Sequence, residues 1–319
     1  MRAYLMGAEG VVMETRHFDW GIMNLPQPVA VASDLPGSQR RLDAFEAAFD
    51  NACGDWMAEN PALPVIACGM VGSAQGWKEA SYLSTPTTLD ALARRLTVVM
   101  RSGKTPIHIV AGLMQQTVLP NVMRGEETQV LGVLNGDPSD GDEWLIGLPG
   151  THSKWVRVRA AQITGFDTFM TGEMFAALCQ HTILGRTMQV AAQPDDAAFA
   201  RGVQVARSAD ARLGLLSNIF STRTLGLTGA LAAQAQADYL SGLLIGHEVA
   251  ALASCREDIQ RVPIVLCGES DLCRRYAMAL ELIGLSRPQI AGPATPTGLW
   301  RVAVAAGLVS QGVPGRAKT

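Results

Sequence analysis

The sequence predicts an α/β protein built in two halves. Three observations carry this: each half opens on short strand-like runs closed by turn residues, helical spacings follow, and buried strand runs alternate with the helices. At 319 residues the chain is long enough for two domains or one large α/β unit. The internal repeat favours two, at 1–140 and 141–319.

The first half opens on RAYLM (2–6) and VVMETR (11–16), joined by Gly7-Ala8-Glu9-Gly10, which reads as a β-hairpin. Leu42, Phe45, Ala48, Phe49, Ala52 and Trp56 then fall at helical spacing over 38–60. PVIACGM (64–70) is a buried strand, 88–101 reads as a helix, and IHIVAGLM (107–114) as a second buried strand. In the second half WLIGLPG (144–150) is a strand ending in a turn, and SKWVRVRA (153–160) with QITGFDTFM (162–170) makes another hairpin. Long helical segments, including 229–254, lead to the buried strand VPIVLCG (262–268) and a closing helix over 298–309. A strand and a turn precede the hairpin in this half, whereas nothing precedes Arg2 in the first.

Hydrophobic residues make up 48% and charged residues 17%, the balance of a globular enzyme with a sizeable core. Lys and Arg number 26 against 29 Asp and Glu, and no basic run concentrates the charge, so nucleic acid and anionic membranes are excluded as partners. Six scattered cysteines without a CxxC pair read as reduced, and five scattered histidines form no metal cluster. The opening residues lack a signal-peptide core, and no stretch reaches the ~20 apolar residues of a membrane span. A soluble, cytoplasmic protein acting on small molecules is expected.

Three sites could carry chemistry. Gly150, Thr151, His152, Ser153 and Lys154 form a turn whose N–H groups, hydroxyls and lysine suit a phosphate, though an ordinary hairpin loop would look the same. Gly268 and Glu269 lie where a strand gives way to a helix, the place at which α/β sheets take nucleotides; a plain turn with an acid at a helix start is the alternative. Glu126 and Glu127 open a helix after Arg124-Gly125, and could supply a general base and a Mg²⁺ ligand, or merely cap the helix. Asp19-Trp20-Gly21 reads as structural, and His247-Glu248 as a solvated or packed pair.

Taken together, LPGTHSKWV (148–156), MRGEETQ (123–129), FMTGEMFAALCQHTILGR (169–186), YLSGLLIGHEV (239–249) and LCGE (266–269) resemble the 2-dehydro-3-deoxygalactonokinase family. The likeness runs from Arg2 through GMVGSAQGWKEASY (69–82) to the closing helix. It implies two duplicated ribonuclease H-like domains of the actin-like ATPase kind, each a mixed sheet flanked by helices, with ATP and a sugar in the cleft between them. The first domain would take the sugar acid and the second the nucleotide. By resemblance Gly150, Thr151, Ser153 and Lys154 correspond to a phosphate loop, Gly268 and Glu269 to the adenosine side, and the acidic segment to the catalytic carboxylate. That carboxylate is Glu126 or Glu127, with Glu126 favoured and Glu127 left to the metal. The expected reaction is ATP- and Mg²⁺-dependent phosphorylation of 2-dehydro-3-deoxy-galactonate at its 6-hydroxyl. A kinase of a related keto-deoxy sugar acid, or a sugar-acid-binding protein without turnover, are the alternatives; a homodimer is compatible with each. Family members begin with a further strand ending in a DWGT-type first phosphate loop, so a segment of roughly a dozen residues is expected upstream of Arg2, with activity depending on it.

Overall fold

The structure is a computed structural model that describes residues 1–26, 37–134, 143–255, 259–292 and 294–310. It divides into two compact units: unit 1 is Met1–Pro138 with Ala161–Thr164 and Pro293–Thr319, and unit 2 is Ser139–Ala160 with Gly165–Gly292.

In unit 1, β1 (Arg2–Met6) and β2 (Val12–His17) pair antiparallel, as the hairpin signal predicts. Helix α1 (Gly37–Glu59) follows, then β3 (Val65–Ala67), β4 (Tyr82–Ser84) and α2 (Leu89–Ala93). The helix expected over 88–101 is cut short. Thr88 caps α2 by accepting from the Ala91 N–H at 3.2 Å, but the β-branched residues of Thr97-Val98-Val99 suit a pleated surface better and open β5 (Thr97–Arg101). The run 107–114 is likewise two strands, β6 (Lys104–Ile109) and β7 (Gly112–Gln115), which enter different sheets. β8 (Asn121–Met123) leads into α3 (Glu126–Val133). The sheets run β3-β6-β5 and β4-β7-β8, apart from the β1-β2 pair. Phe45, Trp77, Ala80, Val99, Ile107 and Ile109 form the core between α1 and the first of them.

Unit 2 starts with β9 (Glu143–Leu148), β10 (Ser153–Arg159) and β11 (Gln162–Phe169), at the places the sequence predicts. Helices α4 (Thr171–His181), α5 (Asp196–Val205), α6 (Leu215–Asn218), α7 (Ser221–Leu227) and α8 (Gln236–Cys255) follow, then β12 (Ile264–Leu266), α9 (Ser270–Ile283) and β13 (Gln289–Ile290). One five-stranded sheet results, in the order β11-β10-β9-β12-β13, with β12 parallel to both β9 and β13 and β10 antiparallel to β9. Helix α8 is buried on nearly all sides from Tyr239 to Gly246, which explains its almost unbroken apolar sequence. Leu145, Trp155, Phe199, Ile245, Leu266, Tyr276 and Leu280 fill the core beside the sheet.

The closing helix, α10 (Ala294–Ala305), packs in unit 1 rather than completing the second half as its position in the chain suggests. Two glycines permit this. A Cβ on Gly132 of α3 would lie 1.9 Å from the Ala294 carbonyl oxygen, and one on Gly298 of α10 would lie 1.8 Å from that of Thr128, so only hydrogen at both positions lets the backbones touch. No helix among the described residues is long and apolar enough to cross a membrane.

Candidate active site

Two polar sites stand out, one in each unit. In unit 2, Leu148 and Lys154 face each other across the β9–β10 ladder, so Pro149 to His152 must form the turn at its end. Among the described residues the N–H groups of Gly150, Thr151 and His152 donate to no acceptor. The first turn of α4 packs on this loop: the Glu173 N–H donates to the Thr151 carbonyl at 2.9 Å, and a Cβ on Gly172 would lie 2.4 Å from the Gly150 oxygen. The motif FMTGEM therefore contributes a helix N-terminus that opens beside the loop, and two sets of polarised N–H groups converge where an anion would sit. His152 lies on the exposed rim, its Nε2 against the Glu173 carboxylate.

Ser153 and Lys154 belong to the strand rather than to the open turn, and both are buried. Lys154 donates from Nζ to the His152 carbonyl at 3.1 Å. On the opposite face of the strand, Ser153 donates from Oγ to Glu248 Oε1 at 2.9 Å and Trp155 donates from Nε1 to the same oxygen at 2.7 Å. Glu248 Oε2 accepts from Tyr276 Oη at 2.8 Å and from Thr171 Oγ1. Burial pushes the Glu248 carboxyl above its ordinary range, and the four hydrogen bonds oppose that shift. Read from sequence as one of a solvated or packed pair, Glu248 is instead the acceptor that joins β10, the start of α4, and α9. Its neighbour His247 is half-buried and bonded to Asn218 Oδ1 at 2.9 Å, with burial depressing its pKa.

Gly268 meets this loop, since a Cβ there would lie 3.3 Å from the Pro149 oxygen. Glu269 is exposed and caps α9, accepting from the N–H groups of Asp271 at 3.1 Å and Leu272 at 2.9 Å, which hold its carboxyl below the usual range. Glu269 lines a pocket of about 320 Å³ whose wall also includes Gly150, Thr171, Gly172, Arg275 and Tyr276. The sequence thus placed two distant motifs, 148–154 and 266–269, that the fold brings together.

In unit 1, Glu126 and Glu127 open α3 behind Gly125, whose φ of 105° only glycine adopts readily. Glu126 is half-exposed and accepts from the Arg124 N–H at 2.9 Å. Glu127 is wholly buried and accepts from the Gly125 N–H at 2.6 Å and from Thr128 Oγ1 at 2.9 Å. Its carboxyl is pushed up to about 7, first by burial and then by the charge of Glu126. Both acids bond main-chain N–H groups that precede the helix, which begins after Gly125 without a side-chain cap. Only Glu126 keeps a face to solvent. Glu127 does not fit a Mg²⁺ ligand, because it is enclosed and both its oxygens already hold donors. Among the described residues no three His, Cys, Asp or Glu side chains gather as a metal site.

A family model described as 2-keto-3-deoxy-galactonokinase matches residues 1–302. The chain belongs to that family. It is 36% identical over 281 residues to a probable 2-dehydro-3-deoxygalactonokinase of Rhizobium meliloti strain 1021, covering 84% of this chain and 89% of the relative. It is also 36% identical over 240 residues to a 2-dehydro-3-deoxygalactonokinase of Escherichia coli K12, covering 75% and 76%. A crystal structure of a protein assigned as a 2-dehydro-3-deoxygalactonokinase, from Sinorhizobium meliloti, superposes with a TM-score of 0.78 at 34% identity over 95% of each chain. The fold adds Thr171, Gly172 and Tyr276 to this site, and gives Glu248, read from sequence as one of a solvated or packed pair, four hydrogen-bond donors. The available signal was a carboxylate inside an otherwise apolar helix, at Glu248, since such a group is rarely buried without partners.

Proposed function

We infer that this chain is a 2-keto-3-deoxy-galactonokinase that transfers the γ-phosphoryl group of ATP to the 6-hydroxyl of the sugar acid. Family membership over residues 1–302 carries the reading, and the loop-and-helix anion site of unit 2 supports it. In this reading unit 2 holds the nucleotide. The N–H groups of Gly150, Thr151, His152, Thr171 and Gly172 face its phosphates, with the charge of Lys154 lying beneath the loop. Glu269 lines the same pocket on the α9 side, and Gly268 packs against Pro149 of the loop. Unit 1 takes the sugar acid, and Glu126 is the general base. The proton of the 6-hydroxyl passes to Glu126 as the oxygen–phosphorus bond forms and the bond to the β-phosphate oxygen breaks. Such transfers rely on positioning and charge stabilisation more than on covalent chemistry by the protein. Magnesium would enter bound to the nucleotide phosphates and to its own waters; no step is assigned to a metal held by Glu127.

The finer fold reading is also ours: the three-strand meander of unit 2, with β12 and β13 parallel beyond β9, supports a ribonuclease H-like domain of the actin-like kind, and we take unit 1 as its diverged duplicate. A coupled ADP-release assay with a panel of keto-deoxy sugar acids tests the function. Release with 2-keto-3-deoxy-galactonate above all others is expected. Release with a different acid alone would reassign the substrate, and release with none, from this chain and from one extended upstream, would overturn the kinase reading.

A further inference from the structure

We propose that Arg124 and the Ser73 hydroxyl bind the C1 carboxylate of the sugar acid, an inference that rests on the kinase reading above. Arg124 sits between β8 and α3, directly before the acidic pair, and is 9% exposed. Its guanidinium stacks on Tyr82, with Cζ 4.3 Å from the ring centroid, and Nη2 donates to the Ala80 carbonyl at 2.8 Å. Nε and Nη1 have no hydrogen-bond partner among the described residues. The adjacent acids turn elsewhere: Glu126 Oε2 takes the Arg124 main-chain N–H, and Glu127 takes Gly125 and Thr128.

The unpaired edge faces the turn of GMVGS. A Cβ on Gly72 would lie 3.0 Å from Nη1, and the next residue, Ser73, is 8% exposed with its Oγ also unpartnered. Two buried donors without acceptors thus occur at one turn. Leaving a buried charge unpaired is costly, and such groups are normally matched by a carboxylate. The reaction's own substrate supplies one. A monoanionic carboxylate matches a single guanidinium charge, whereas the greater charge of a phosphate would be opposed by Glu126 and Glu127 close by. Both donors are enclosed in this structure, so admitting a ligand oxygen requires the turn Gly69–Gly72 to shift. Stacking on Tyr82 and the bond to Ala80 keep the guanidinium in place meanwhile.

The test compares 2-keto-3-deoxy-galactonate with its neutral C1 amide, by calorimetric binding and by ADP release. The wild-type chain should prefer the acid by roughly 10- to 100-fold, the range expected for hydrogen bonds to a charged group. Arg124→Gln should raise KM for the acid by a similar factor, leave the amide and the nucleotide KM unchanged, and so erase the preference. Ser73→Ala should raise KM for the acid by about 3- to 10-fold with no loss of thermal stability, since the hydroxyl bonds nothing now. That second variant decides the matter if Arg124→Gln does not fold. An acid-to-amide ratio unchanged in both variants, or absent in the wild type, overturns the carboxylate site. Turnover of the acid with an unchanged ratio would sink this proposal alone. Acid-selective binding without ADP release, from this chain and from one extended upstream, would sink the kinase reading and leave the carboxylate site standing.

Discussion

Replacing Glu248 by Gln should loosen the nucleotide site without unfolding unit 2. The carboxylate accepts from four side chains, Ser153 and Trp155 on one oxygen and Tyr276 and Thr171 on the other. An amide keeps one oxygen, which must face the indole N–H because Trp155 cannot accept. The amide nitrogen then meets the Thr171 and Tyr276 hydroxyls, and both can turn to accept. All four contacts survive, but the charge that shortens and strengthens them is lost. Charge assistance roughly doubles a hydrogen bond worth about 1 kcal/mol, and part of that gain offsets the cost of burying the charge. A net loss of about 2 kcal/mol follows, or about 4–8 °C in melting temperature at the scale of 2–4 °C per kcal/mol. Glu248→Ala is a different case: Trp155, Thr171 and Tyr276 would be left without an acceptor at about 1–3 kcal/mol each, against a typical total stability of 5–15 kcal/mol, and the variant should fold poorly. The functional readout is the split between substrates. Ser153 follows the 149–152 turn directly and Thr171 opens the helix packed on it, so on the proposed nucleotide reading Glu248→Gln should raise the nucleotide KM by about tenfold and leave the sugar-acid KM alone. Tyr276→Phe, which removes one donor and orphans nothing, should move both quantities in the same direction by less. A Glu248→Gln chain with wild-type melting and wild-type nucleotide affinity would refute the claim that this carboxylate holds the loop.

Four further outcomes are expected. Glu126→Gln should lower kcat by about 10² to 10⁴ with sugar-acid binding retained in calorimetry, as for loss of a general base; normal turnover would reduce Glu126 to a helix cap. Gly172→Ala places a Cβ 2.4 Å from the Gly150 oxygen, so the loop must move, and the nucleotide KM should rise by roughly tenfold or more, given how steeply misplacement is penalised. Glu127 holds a proton to about 7 in the native state against 4.5 ordinarily, so from 4.5 upward the unfolded chain releases a proton that the folded chain keeps. Stability should fall by about 3 kcal/mol between those pH values, and Glu127→Gln should flatten that part of the denaturation-versus-pH curve. Ala160 and Ala161 turn the β10–β11 hairpin at φ 47° and 59°, and replacing them with Asn-Gly should raise stability by about 1–2 kcal/mol in urea unfolding, because the left-handed region strains alanine.

The strands and hairpins were the most legible elements. β1, β2, β9, β10 and β11 stand where Gly7-Ala8-Glu9-Gly10, Pro149-Gly150 and the alternating apolar runs place them, since turn chemistry and a period of two are local properties. The segment 88–101 failed for an equally local reason: Leu89 to Ala93 do form a helix, and an apolar run extended across Arg94-Arg95 looks helical although Thr97-Val98-Val99 pair with β6. The place of α10 was not local at all. Its burial against α3 depends on Gly132 and Gly298 meeting backbone that lies more than a hundred residues away in the chain, and a lone glycine in a helical pattern does not say which partner it admits.

The site divides in the same way. Motifs read as loops or helix starts, LPGTHSK, RGEET and CGE, could be placed because glycine, hydroxyl and acidic residues carry their local geometry with them. What each side chain does there depended on burial, which the motif does not contain. Glu126 and Glu127 are the same residue type one position apart, yet one is half-exposed and the other wholly enclosed with its carboxyl near 7. The reason is helical rotation: successive residues of α3 point about 100° apart, so one acid faces the packed side while the next does not. The resemblance does not choose between the two acids; exposure favours Glu126 as the proposed base, since a proton acceptor must reach a substrate hydroxyl. The same logic moves Glu248 from an incidental helix residue to the centre of unit 2. Being buried, it must be hydrogen-bonded, and two of its four donors, Thr171 and Tyr276, wall the pocket while Ser153 and Trp155 come from the strand that follows the 149–152 turn, so one buried carboxylate ties together the elements around that turn.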